Sequence, residues 1–123
     1  MPTGVGPARL LSINAAATDE TLGVPFDATN YPYVTFWITG TGTTSSGVVT
    51  IEETDWDDEA TDSVPDTPFW SSIQTVNASD VTGGARKAIH LTVSKYRYVR
   101  PRISTAIGGG GTITVVITAS GAS

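Results

Sequence analysis

Four acidic side chains, Asp55, Asp57, Asp58 and Glu59, stand within five positions and could offer oxygen ligands to a hard cation such as calcium. Trp56 interrupts the group, and the glycine and distal glutamate of the helix-loop-helix calcium motif are missing, so the spacing specifies no metal. Paired carboxylates could also hydrolyse glycosides, but that chemistry needs one carboxyl with a raised pKa. A cluster in a polar loop gives no desolvation to raise it. His90 is the only histidine. It cannot form a multi-histidine metal site within one chain, although three copies around a threefold axis could. No Gly-x-Ser-x-Gly elbow supports a serine nucleophile, and the absence of cysteine removes thiolate chemistry and disulfides. The expectation is a protein without catalytic residues, metal or cofactor.

Charge is unevenly placed along the chain. The net charge is -5, yet the acidic residues crowd between Glu52 and Asp66 and the basic ones between Arg86 and Arg102. Two solvated surfaces would account for this. So would an acidic loop of one subunit meeting a basic strand of its neighbour, which would set register during assembly. The segment Tyr96-Arg97-Tyr98-Val99-Arg100-Pro101-Arg102 alternates aromatic and basic side chains as nucleic-acid surfaces do. The acidic balance of the whole opposes a polyanion partner. Trp37, Trp56 and Trp70, with Tyr31 and Tyr33, could form a platform for sugar rings. The candidate interface residues are therefore Trp37, Tyr96, Arg97, Tyr98, Arg100 and Arg102 on one side, with Asp55, Asp57, Asp58 and Glu59 on the other.

Strands must position these groups. In Tyr33 to Thr39 the residues Val34, Phe36 and Ile38 alternate with polar ones, which places Trp37 on the opposite face. Val49 and Ile51 point inward against Thr50 and Glu52. Ile89, Leu91 and Val93 alternate with His90, and Ile113, Val115, Ile117 and Ala119 alternate with threonines, Val116 being the apolar exception. Shorter strands are expected at Arg9 to Ala15, Val24 to Asp27, Ile73 to Asn77 and Tyr96 to Ser104. Pro101 has no amide hydrogen, which predicts an edge strand or a bulge. Gly40 to Gly47 and Gly108 to Gly111 read as hairpin turns; the latter lacks the lysine and the helix of a phosphate-binding loop.

No stretch of helical periodicity interrupts this pattern. The fold class expected is all-β, an antiparallel two-sheet sandwich or jelly roll of about seven to eight strands. One domain over residues 1–123 fits the length, with 1–8 and 120–123 as flexible arms. The start of the chain does not read as a secretory signal, and no apolar run approaches the roughly 20 residues of a membrane span.

The succession of the Thr/Gly-rich turn, VTIEETDWDDEATDSVPDTPFW, HLTV, YRYVRPRIS and GGGGTITVVITAS resembles small β-sandwich structural proteins of tailed bacteriophages. The likeness runs from Tyr31 to Ser120 and is one of strand order and composition. It implies a capsid decoration or cement protein that bridges capsid subunits, assembled in the host cytoplasm and located in the virion. The major capsid protein or other virion subunits would be its partners, and a homo-oligomer, with a trimer as the expected number, its active form. Neither nucleic acid nor a membrane is an expected partner. A carbohydrate-binding module, or a tail- or fibre-associated protein, is the alternative.

Overall fold

A computed structural model of the chain describes residues 8–15, 21–28, 31–54, 70–92 and 98–120. Among the described residues nine strands follow in order: β1 (Ala8–Ala15), β2 (Thr21–Leu22), β3 (Phe26–Asp27), β4 (Tyr33–Thr41), β5 (Ser46–Thr54), β6 (Ser71–Asn77), β7 (Arg86–Thr92), β8 (Tyr98–Gly108) and β9 (Thr112–Ser120). One sheet has the order β1-β9-β4-β7. The other has the order β2-β8-β5-β6, with β3 also pairing β8. All pairings are antiparallel. The chain is thus an all-β two-sheet sandwich. Ala8 already belongs to β1 and Ser120 still belongs to β9, where it faces Tyr33.

The period-two pattern explains the layers. Val34, Phe36 and Ile38 of β4 and Ile113, Val115 and Ile117 of β9 are at most 1% exposed, and they meet Val49, Ile51, Val99 and Ile103 of the opposite sheet, each 0% exposed. Side chains alternate across a strand, so a strand with apolar residues at every second position can bury one face and leave the other to threonines. β-Branched residues fill most of this interior, consistent with their fit to a pleated surface.

Two glycine-rich turns differ from their expected role. β4 and β5 lie in different sheets, as do β8 and β9, so Gly40 to Gly47 and Gly108 to Gly111 are arches between the layers and not hairpins. Their backbones are laced together at one end of the sandwich: Ser45 N–H donates to Gly108 O at 2.9 Å, and Gly111 N–H donates to Thr43 O at 2.7 Å. Each strand after an arch must turn its apolar face back toward the same interior, which puts it in the opposite layer. Gly109 and Gly110, with φ of 100° and 82°, provide the left-handed backbone that this turn needs.

A 3-10 segment, Ala78–Gly84, closes the same end and had no signature in the periodicity. It is anchored by Thr44, which is 0% exposed and whose hydroxyl donates to Ala78 O at 2.8 Å. The Thr44 amide donates to Thr82 Oγ1 at 3.0 Å.

β8 is interior rather than an edge, contrary to the expectation from Pro101. Its neighbour on one side is β5; on the other, β2 ends opposite Arg102 and β3 begins opposite Val99. Pro101 therefore faces the break between β2 and β3. Its carbonyl accepts the Gly23 amide at 2.9 Å, and its missing donor points to that interruption in the ladder. Ser12, where β1 bulges, ties the two sheets at this side: its hydroxyl donates to Val24 O at 2.9 Å, and Val24 N–H donates to Ser12 O at 3.2 Å.

Candidate functional site

Two side-chain constellations stand out, one on the outer face of each sheet. On the four-stranded sheet, strand register aligns Leu11, Val116, Trp37 and Ala88 in a row across β1, β9, β4 and β7. The parallel row is Arg9, Thr118, Thr35 and His90. Trp37 is 38% exposed and Leu11 51%.

The indole is held in place by its neighbours. Its Nε1–H donates to Thr118 Oγ1 at 2.8 Å, and its ring lies edge-to-face with His90 at 6.4 Å between centroids. His90 Nδ1 and Thr35 Oγ1 share a hydrogen bond of 2.9 Å. Beside the indole, Arg9, Ile38, Thr39, Arg86, Val116 and Thr118 complete a shallow groove of about 310 Å³. The charged residues lining it are both arginines.

The second constellation lies on the outer face of the five-stranded sheet and is buried. Glu52 and Arg100 are register partners of β5 and β8. Arg100 Nε–H donates to Glu52 Oε1 at 3.0 Å and Arg102 Nε–H to Glu52 Oε2 at 3.1 Å, so one carboxylate serves two guanidinium groups. The Glu52 and Arg100 side chains are each 5% exposed. Trp70, just before β6, covers Arg100 with the guanidinium carbon 4.1 Å from its ring centroid. Such stacking suits a weakly hydrated planar cation. Arg100 Nη2 is buried and has no hydrogen-bond partner among the described residues.

The sequence-derived candidates are therefore divided. Trp37 is exposed, as its alternation required. Tyr98 and Arg100, expected to contact a neighbour, are 8% and 4% exposed and face into their own chain. From the two charge blocks, Glu52 meets Arg100 and Arg102 within one chain, where the expectation was either two solvated surfaces or a contact between subunits. Tyr96, Arg97, Asp55, Asp57, Asp58 and Glu59 lie outside the described residues. The aromatic residues do not share one platform: Tyr33 lies on the same face of β4 as Trp37 but in a different cross-strand row, Tyr31 packs on Phe26 with ring centroids 5.3 Å apart, Trp70 belongs to the other sheet, and Trp56 lies outside the described residues.

Arg9, Thr39, Arg86 and Thr118 had not been singled out. Arg9 carried a usable signal as the one basic residue outside the 86–102 block. Arg86 was hidden inside that block. Among the described residues no three histidine, aspartate or glutamate side chains converge as a metal-holding group, and no helix is long and apolar enough to cross a membrane.

No family model and no curated protein matches the chain. Among solved structures the sandwich has clear counterparts. Two of the proteins that share its fold are these. One is the SPBc2 prophage-derived protein YomS, 11% identical, with a TM-score of 0.56 over 98% of this chain and 99% of that one. The other is the PBSX exported protein XepA, 24% identical, with a TM-score of 0.58 over 94% of this chain. The match spans 37% of the XepA chain. At these identities the likeness establishes a common architecture.

Proposed function

We propose that this chain is a non-enzymatic structural protein of a tailed-bacteriophage virion, acting as a capsid decoration or cement protein. The observation that carries the reading is the end-to-end fold correspondence with the prophage-derived YomS, 98% of one chain against 99% of the other. The proposed mechanism is clamping. A domain that binds only the assembled shell and bridges its subunits stabilises that state by mass action.

Among the described residues β6 is an edge strand, which supports assembly. Ser71, Ser72, Gln74 and Thr75 are exposed, and Ser71–Asn77 carries neither charge nor proline to deter pairing with another chain. β7, the edge of the other sheet, is protected by Arg86 and Lys87. A homo-oligomer, a trimer in this reading, would form on the shell alongside the major capsid protein. Electron cryomicroscopy of purified virions tests it: the expected map shows clustered copies of the sandwich on the head. Absence from the particle, or a position confined to the tail, overturns the decoration role.

The Trp37 groove favours a second reading, a carbohydrate-binding module or a tail- or fibre-associated protein. Retention of the isolated protein on immobilised polysaccharide, with loss of retention in Trp37→Ala, would support it.

A further inference from the structure

We propose that the groove around Trp37 binds an acidic saccharide, with the indole stacking on a sugar ring and Arg9 and Arg86 receiving its carboxylate, sulfate or phosphate group. This rests on the carbohydrate-binding reading and gives it a ligand class; it is independent of whether the protein sits on the head or the tail.

The aromatic platform is preorganised. The Nε1 bond to Thr118 and the contact with His90 fix the indole orientation in the isolated chain. Little side-chain freedom then remains to be lost when a ligand docks. An amphipathic ring surface of this kind accepts the C–H face of a pyranose while leaving the sugar hydroxyls at its rim.

Charge selects the acidic class. The chain carries a net charge of -5, yet among the described residues the groove is lined by two arginines and no carboxylate. Among the described residues neither Arg9 nor Arg86 has an ion-pair partner, whereas Lys87 faces Asp80 at 4.0 Å and Arg100 and Arg102 share Glu52. Guanidinium forks match carboxylate, sulfate and phosphate oxygens with paired hydrogen bonds.

The threonines add a complementary pattern. Thr118 Oγ1 already accepts the indole proton, which leaves its own hydrogen to donate. Thr39 donates to Ala85 O at 3.0 Å, which leaves its lone pairs to accept. Sugar hydroxyls can satisfy both.

A second copy of the chain fits less well. A stable pair of subunits needs about 800 Å² from each partner, with an apolar centre. The exposed large hydrophobic side chains on this face are Leu11, Tyr33 and Trp37. The volume of about 310 Å³ instead falls near the lower end of small-ligand sites, about 300–1,000 Å³.

The test is titration of the full chain with oligogalacturonate and with a heparin-derived tetrasaccharide, against neutral cellotetraose and inorganic sulfate. Binding is read by calorimetry and by the Trp37 indole N–H resonance. The expected result is saturable binding of an acidic oligosaccharide, weakened at least about tenfold in Arg9→Gln/Arg86→Gln and in Trp37→Leu, with unchanged melting temperatures. Equal binding of cellotetraose, unaffected by the arginine replacements, would overturn the acidic specificity while leaving the carbohydrate reading intact. Absence of saturable binding to any oligosaccharide would overturn both. Sulfate that shifts the indole resonance as far as the acidic sugars would reduce the site to a simple anion contact and overturn the saccharide. Tighter binding of a peptide spanning residues 55–66 would assign the groove to a second copy.

Discussion

Arg100 Nε–H reaches Glu52 Oε1 across 3.0 Å from the register-paired position on the adjacent strand, and both side chains are 5% exposed. Burial decides what this pair is worth. Glu52→Gln leaves the buried Arg100 charge without its carboxylate and should destabilise the fold by about 3–5 kcal/mol, whereas Arg100→Met leaves Glu52 paired with Arg102 and should cost less. The double variant Glu52→Leu/Arg100→Met should lose less than Glu52→Gln. Denaturant unfolding checks this, and a Glu52→Gln loss below about 1 kcal/mol would place the pair in the class of solvated bridges. Arg100→Glu should fail to fold before any assembly defect can be measured, because it opposes two buried carboxylates.

Gly23 should tolerate no side chain. A Cβ there would come 2.5 Å from Ser12 Oγ and 2.6 Å from Pro101 Cγ, at the point where the two sheets are tied together. Gly23→Ala is expected to cost about 1–3 kcal/mol through overpacking. A melting temperature equal to the parent's would show that β1 and β8 can separate freely at this side.

The two faces of the four-stranded sheet should respond oppositely to truncation. Phe36, 0% exposed, should lose about 3–5 kcal/mol on replacement by alanine. Leu11→Ser, at a position 51% exposed, should remain within about 0.5 kcal/mol of the parent. Parallel urea titrations provide the comparison; similar losses at both positions would contradict the layer assignment.

Thr44 couples an arch to the 3-10 segment. Thr44→Val keeps the shape but leaves Ala78 O without its 2.8 Å donor in a fully buried setting, an expected loss of about 1–3 kcal/mol. Thr118→Val, at an exposed hydrogen bond, should cost no more than about 1 kcal/mol while speeding solvent exchange of the Trp37 indole proton. Hydrogen exchange followed by NMR separates the two effects.

Local alternation determined the strands. Val34, Phe36 and Ile38 predicted β4 and its inward face, and Ile113 to Ala119 did the same for β9, because side-chain direction in a strand depends only on parity. The same parity put Trp37 and His90 outside. The two-residue β2 and the 3-10 segment were too short to show a period.

Tertiary structure decided which strands pair. Nothing local separates a hairpin from an arch: Gly40 to Gly47 and Gly108 to Gly111 have the composition of either, and only closure of a common core sends β5 and β9 to the layer opposite their predecessors. Pro101 could occupy an interior strand because a neighbouring ladder breaks opposite it, a fact held by Gly23 and not by residues near the proline. Parity alone sent Glu52, Arg100 and Arg102 outward, but not their burial. That followed from the register of β5 on β8 and from Trp70 over the guanidinium. Arg9 and Arg86 came to one groove by β1 and β7 flanking β9 and β4, and residues 77 positions apart have no shared local signal. Strand periodicity is a short-range property of the chain, whereas register, layer and burial are set by long-range packing.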